Sequence, residues 1–399
     1  MTAHASSPRL NRRSLLQGTA VAAGTLAIPR AVHAVGSHHL RIGLVGCGGR
    51  GVGAALDAVA ADRSVVIVAL GDRFPDQVAA AAGHLARVAG PRFAPTALHH
   101  GADAAHRVMA TELDAVILAT PPRFHPAGVT AAVAAGRHVF CELPVAADAA
   151  GVAEVSAAAD AARHVGLVVA CGLHARHHVP LQAMVADVAS GAIGTPRQAT
   201  VVHHLGLPWR RPSASDWSAA DVRLRNWNTD DWLSGGLFVC DQVHAIDRAV
   251  WAMGDLPPVS ATIVPTPEPL PSTPRPGVSM LIRYTFADGT TLDAGLMRRE
   301  TIETQVIETV RGSRGSVDLR HSLMAGTGPA PHALGMRRFV EAIHGGSVND
   351  LGHVEAACQS TLVALMGRLA AERGGRVAWN DLAPATAAAP ARPLQSRRV

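Results

Sequence analysis

The chain of 399 residues contains no lysine; all 36 of its basic side chains are arginine. Ammonium chemistry is therefore excluded, because a guanidinium stays protonated and cannot replace a lysine that gives and takes protons. The five cysteines (Cys47, Cys141, Cys171, Cys240, Cys358) are scattered and odd in number, with no CxxC pair. That argues against a disulfide framework and a zinc site. The histidine doublets His99-His100, His177-His178 and His203-His204 lack partners at ligand spacing, so no metal is expected. Aromatics make up 4% of the chain and interleave with no basic stripe, which argues against a nucleic-acid partner. No internal repeat is evident.

What the sequence does contain begins with an uneven charge. Arg9, Arg12, Arg13 and Arg30 fall in the first 34 residues, which hold no acid, so most of the net charge of +5 belongs to that segment. "NRRSLLQG" sets Arg12-Arg13 ahead of an apolar run from Leu15 to Ile28, and "AVHA" offers small residues for cleavage after Ala34. Residues 1–34 therefore read as a twin-arginine signal peptide. The run is roughly fourteen residues, too short to span a bilayer, so no stable membrane span is expected after cleavage. This reading makes the twin-arginine export machinery a partner and the periplasm, or another exported location, the destination.

The length is too great for one ordinary core, so two domains are expected. From Leu40 onward, short apolar runs alternate with alanine-rich helical stretches, the rhythm of a doubly wound parallel sheet covered by helices. The pattern changes near Gly166. "TPRQATVVHHLG", "SMLIRYTFADGTTLDAGLM" and "TIETQVIETVRGSRGSVDLR" are β-branched and alternating, with a "DG" turn, and predict a second α/β domain with a mostly antiparallel sheet. The expected boundaries are 38–165 for the first domain and 166–382 for the second, whose C-terminal helices are free to pack back on the first. A proline-rich spacer (265–277) and a disordered tail (383–399) complete the outline.

Gly46-x-Gly48-x-x-Gly51 falls between a predicted strand and a predicted helix. In that context the first glycine permits a tight turn, the second admits a pyrophosphate, and the third lets helix and strand approach. Gly49 and Arg50 lie within the same turn, and the helix directs its amide dipoles at the phosphates. Asp72 comes 21 residues after Gly51, at the end of the second strand, where a carboxylate grips the adenosine ribose. NAD is the expected cofactor. Arg73, next in line, leaves NADP open.

Further stretches resemble the glucose–fructose oxidoreductase/inositol dehydrogenase/MocA (Gfo/Idh/MocA) family. They are "TPPRFH" (120–125), "GRHVFCELP" (136–144), "SGGLFVCDQVHAIDRAVWAMG" (234–254) and "GRVAWNDL" near the C-terminus. The resemblance implies a Rossmann domain followed by an α/β domain with an open sheet, often the contact face of a homo-oligomer. It also implies hydride transfer between a sugar or polyol carbon and a nicotinamide. Carried over, Thr120, Pro121 and His125 would lie beside the cofactor, and Glu142 near the nicotinamide ribose. Two departures stand out. Leu143 occupies the family's lysine position, and Cys240 stands where a carboxylate usually precedes the histidine matched by His244.

Without the lysine, an imidazole is the natural proton carrier near neutral pH. His244 is the expected acid/base. Asp241, three residues earlier and on the same helix face, is its expected orienter. Arg176 is the expected source of positive charge for an alkoxide. Trp209, Trp217, Trp227 and Trp232 crowd the segment 203–232 and suit a carbohydrate, whose C–H faces stack on indole. An exported enzyme of this kind would hold its cofactor tightly and recycle it in place. Two alternatives remain open: an NAD-dependent glycosidase working by transient oxidation, and a nucleotide- or sugar-binding member that has lost catalysis.

Overall fold

The computed structural model describes residues 39–265, 278–300, 302–324, 330–346 and 353–382. The expected signal peptide, the proline-rich spacer apart from Pro265, and the expected tail lie outside them.

Six short strands build the first sheet: β1 (Leu40–Val45), β2 (Val65–Asp72), β3 (Phe93–His100), β4 (Ala115–Leu118), β5 (His138–Cys141) and β6 (Val169–Cys171). All pair in parallel, in the order β3-β2-β1-β4-β5-β6. Both faces are covered by α1 (Gly49–Ala61), α2 (Pro75–Ala89), α3 (Ala104–Met109), α4 (His125–Ala134) and α5 (Ala149–His164). That cover explains why β4, β2 as far as Asp72, and β1 apart from Arg41 read as apolar runs rather than alternating ones. The order reverses between β1 and β4, so a crevice opens at their carboxyl ends. β6 lies beyond the expected boundary at residue 166, yet it forms the edge of this first sheet.

The chain then makes a 3-10 turn at His174–His177, followed by α6 (Val179–Ala189), β7 (Pro196–Leu205), α7 (Ala219–Arg225), α8 (Asp231–Ser234) and α9 (Leu237–Ala252). β8 (Ser260–Val264), β9 (Val278–Thr285), β10 (Thr291–Arg298), β11 (Gln305–Gly312) and β12 (Ser316–Asp318) come next. α10 (Leu319–Met324), α11 (Pro331–Ile343), α12 (His353–Arg373) and β13 (Arg376–Ala378) complete the described chain. The second sheet runs β12-β11-β7-β10-β9-β8-β13, antiparallel except for the β7/β10 pair.

The C-terminal helices return to the first domain. Met336, Phe339 and Val340 of α11 join the core formed by Ala54, Ala55 and Phe140, with the Phe140 and Phe339 rings 5.6 Å apart. α12 packs on α9 and also on α5 and β6.

α9 is buried on nearly every side, so each polar residue on it needs a partner. Gln242 Nε2 donates to the Gly295 carbonyl (3.0 Å). Asp247 accepts from Arg176 Nε and Nη2 (3.1 and 2.8 Å) and from Ser360 Oγ (2.8 Å). Arg176 also forms a two-pronged pair with Asp255 (both 2.8 Å) and lies 5.2 Å from the Trp251 ring centre. Arg248 makes a two-pronged pair with Glu308 (2.8 and 2.6 Å), whose Oε1 also meets His203 Nε2 (2.8 Å). These buried charges join the segment after β6 to α9 and α12.

Breaking such a pair strands a charge, whereas replacing both members with apolar groups does not. Asp247→Ala should therefore destabilise the protein by roughly 3 to 5 kcal/mol, read as a lower urea midpoint. The double variant Arg176→Met/Asp247→Leu should recover most of that loss. An unchanged midpoint in Asp247→Ala would show that the pair does not hold this junction.

Candidate active site

The glycine turn occupies the crevice at the carboxyl end of β1. Gly46 has φ of 95°, and a methyl group there would sit 2.4 Å from the Ala119 carbonyl oxygen. A methyl on Gly51 would sit 2.0 Å from the Gly46 oxygen, so α1 can approach β1 only because both positions lack a side chain. At Gly48 and Gly49 a methyl would meet nothing within 4 Å. This open pair lies at the start of α1, which has neither a capping side chain nor an acid in its first turn. Its first amide groups are left for a phosphate. The turn thus fits a dinucleotide pyrophosphate.

Asp72 secures this arrangement. Its carboxylate accepts from the Cys47 amide (2.8 Å) and the Phe74 amide (2.9 Å), and burial raises its pKa. Arg73 beside it is exposed. Arg50 leaves the turn to donate from Nε to Glu142 Oε1 (2.7 Å) and pairs with Asp57 (3.3 Å). Burial pushes the Glu142 pKa up, and Arg50 opposes the shift. Thr120 and Pro121 follow β4 and are half-buried. His125 starts α4, fully buried, with Nδ1 2.9 Å from the Pro144 carbonyl; burial lowers its pKa to about 4. Every position expected to line the cofactor therefore lies on the carboxyl ends of β1, β2, β4 and β5 or the turns that follow them. Leu143 is half-buried against the hydrophobic core.

The catalytic expectations fare differently. Asp241 does not orient His244: it pairs with Arg298 of β10 (2.6 and 2.8 Å), and no hydrogen bond among the described residues joins it to the imidazole. Arg176 does not serve the site, because Asp247 and Asp255 neutralise it in the junction described above. Cys240 Sγ donates to the Ser234 carbonyl (3.3 Å), and burial raises its pKa.

His244 lies at one end of a row of three imidazoles. His174, from the turn after β6, lies 4.9 Å from it between ring centres, and His332 of α11 stacks on His174 at 4.0 Å and 14°. Burial lowers His244 to about 4, Arg248 adding to the effect and Asp247 opposing it. Burial and the neighbouring rings lower His174 to about 2. His332 is lowered by burial and then by Arg50. The site thus holds three neutral imidazoles. Among the described residues no group of three or more His, Cys, Asp or Glu is arranged to hold a metal ion.

His174 and His332 escaped the sequence reading. The first sits in "CGLHARHH", where the neighbouring arginine drew the attention, and the second lies in a helix start with no motif. The tryptophans are partly occupied. Trp232 has Arg123 and Arg223 over its ring (4.8 and 5.5 Å) and Phe124 at its edge, while Trp217 carries Arg225 at 4.2 Å. Trp209 meets Trp227 edge-on at 6.3 Å.

Residues 40–173 match the GFO_IDH_MocA model, described as an oxidoreductase family with an NAD-binding Rossmann fold. Over these residues the chain is similar to the Gfo/Idh/MocA family. A 1,5-anhydro-D-fructose reductase of Ensifer adhaerens is 34% identical over 125 residues, 30% of this chain and 37% of that protein. A glycosyl hydrolase family 109 protein of Solibacter usitatus is 37% identical over 109 residues, 27% of this chain and 24% of its own length. The matches span between 24% and 57% of the length of these and other curated relatives. Across the whole fold, the chain is similar to scyllo-inositol dehydrogenase from Lactobacillus casei, solved with NAD(H) and scyllo-inositol. There the TM-score is 0.67 at 19% identity, covering 86% of this chain and 99% of that one.

The two kinds of glycine should separate experimentally. Gly48→Val, projecting into open space, should leave the melting temperature within a few degrees and abolish dinucleotide binding in calorimetry. Gly51→Val, colliding with the Gly46 carbonyl, should lose several kcal/mol of stability as well, by roughly the upper range for strained or overpacked positions.

Proposed function

We propose that the chain is a nicotinamide-dependent oxidoreductase acting on a CH–OH group of a sugar, polyol or related carbohydrate, with NAD preferred and His244 as acid/base. The observation that carries this reading is Arg50. It starts in the phosphate-binding turn, bonds Glu142, and acts electrostatically on both His244 and His332. One guanidinium thus fastens the dinucleotide turn to the carboxylate after β5, with the imidazole cluster within reach of its charge.

When bound, the nicotinamide supplies hydride acceptance from the alcohol carbon, or donation in the reverse direction. This chain's residues manage the rest. The glycine turn and the start of α1 take the pyrophosphate, and Asp72 accepts from the adenosine ribose hydroxyls. Asp72 also disfavours a 2′-phosphate by charge. As the alcohol's C–H bond gives up hydride, its O–H proton passes to a ring nitrogen of His244, leaving a carbonyl. His174 packs beside His244 and keeps water from part of the ring. No ammonium sits at Leu143 to share the proton, so the imidazole carries it alone.

A second reading is favoured by Leu143 together with the similarity to a glycosyl hydrolase family 109 protein. In that case the same oxidation would be followed by elimination of an aglycone, addition of water in its place and return of the hydride, with no net redox change. Arg12-Arg13 ahead of an apolar run supports export by the twin-arginine route, and the broad second sheet offers a face for a homo-oligomer. Mass spectrometry of nucleotide released on denaturation tests the cofactor. A sugar and polyol panel followed at 340 nm, beside chromogenic glycosides, separates the two reactions.

His244→Ala should lower kcat by about 100- to 10,000-fold, the usual span for a lost acid/base, while nucleotide remains bound in the mass spectrum. Retained turnover would remove His244 from the mechanism. Because burial holds His244 neutral down to about pH 4, alcohol oxidation should not fall between about pH 7.5 and 5.5. An ordinary imidazole would lose about nine-tenths of its base form over that range. A tenfold decline in kcat/KM there would overturn the burial argument.

A further inference from the structure

Arg225 ends α7 in the second domain, yet every contact its guanidinium makes across the chain leads to the adenosine end of the dinucleotide crevice. Its Nη1 and Nη2 pair with Asp76 in the first turn of α2 (2.8 and 2.6 Å). Its Cζ lies 3.9 Å from the Phe74 ring centre and 4.2 Å from that of Trp217, so the planar group is layered with two aromatic rings. Phe74 is two residues beyond Asp72, and the Asp72 carboxylate holds its amide while also holding the Cys47 amide of the glycine turn. The side chain is 8% exposed, and its Nε is buried without a hydrogen-bond partner. A buried donor left open in this way is costly unless something accepts from it.

The segment carrying Arg225 is prepared for the role. Ser218 and Asp221 form a reciprocal cap at the start of α7. Asn226 Oδ1 accepts from the Arg211 amide (2.7 Å) and its Nδ2 donates to the Arg211 carbonyl (3.3 Å), and Arg211 Nη2 reaches Gln77 of α2 (3.4 Å). Further along, Trp232 rests against Phe124 and under Arg123. The stretch 209–232 is thus fastened to the first domain beside Asp72 and again at the turn after β4.

We infer that Arg225 is a dinucleotide-binding residue supplied by the second domain. It closes the adenosine end of the crevice, donates its free Nε–H to a neutral acceptor on the adenosine, and slows release of the cofactor. This rests on the proposed nicotinamide function. The ion pair with Asp76 already answers the positive charge, so the group suits a ribose or adenine acceptor and not a 2′-phosphate. Tight retention, which in-place recycling would require, then comes from a strap that must lift before the nucleotide leaves.

The test is release of NADH by stopped-flow fluorescence, with ADP-ribose and nicotinamide mononucleotide as half-molecule probes. Arg225→Ala should speed release of NADH and weaken ADP-ribose by about tenfold or more, the scale of a lost stacked, hydrogen-bonded cation. Affinity for nicotinamide mononucleotide should not change. Arg225→Lys keeps a cation for Asp76 but loses the planar stack and the Nε–H, so it should fold as the parent does and still release NADH quickly. Parent-like release from either variant overturns the inference. If the parent chain binds neither NADH nor ADP-ribose, the proposed function itself fails.

Discussion

The contact between Gly51 and the Gly46 carbonyl governs the arrangement of this molecule. With no room for even one methyl group there, α1 is driven against the end of β1, and its free amide groups arrive at the switch point of the sheet. Asp72 completes the contact from β2 by tying the turn and the start of the next segment to one carboxylate. Once these backbone groups are fixed, the neighbouring loops have one surface to organise around. Arg50 and Glu142 extend it toward the second domain.

A chain without lysine distributes its positive charge differently. The buried guanidiniums Arg176 and Arg248 are each matched by carboxylates in two-pronged geometry, which the planar group permits and an ammonium does not. Their role is architectural. No lysine is left to titrate, and burial keeps the imidazoles of the site neutral. Under the proposed function the proton falls to an imidazole, since Leu143 offers no amine.

What the sequence made legible was local. The path from β1 through the glycine turn and α1 to Asp72 spans a few dozen residues, and each function in it is set by spacing. The alternation of strands and helices gave both domains, and the strand after Gly166 was legible too, but its place at the edge of the first sheet was not, because a lone apolar run does not name the strand it pairs with. The partners of charged groups were illegible. Asp241 and His244 share a helix face, which made a pair attractive, but Arg298 lies 57 residues away in sequence and matches the carboxylate with two hydrogen bonds. Arg176 looked available until Asp247, 71 residues on, was seen to claim it. His332 reaches the site only because α11 folds back onto α1, a tertiary event that no motif announces.

α12 has one further consequence. A single rigid rod of 21 residues lies against both domains at once, on α5 and β6 on one side and on α9 and β8 on the other. Such a brace opposes any clamshell swing of the two halves. Ligand exchange in such a frame would fall to the side chains and surface segments at the mouth of the crevice.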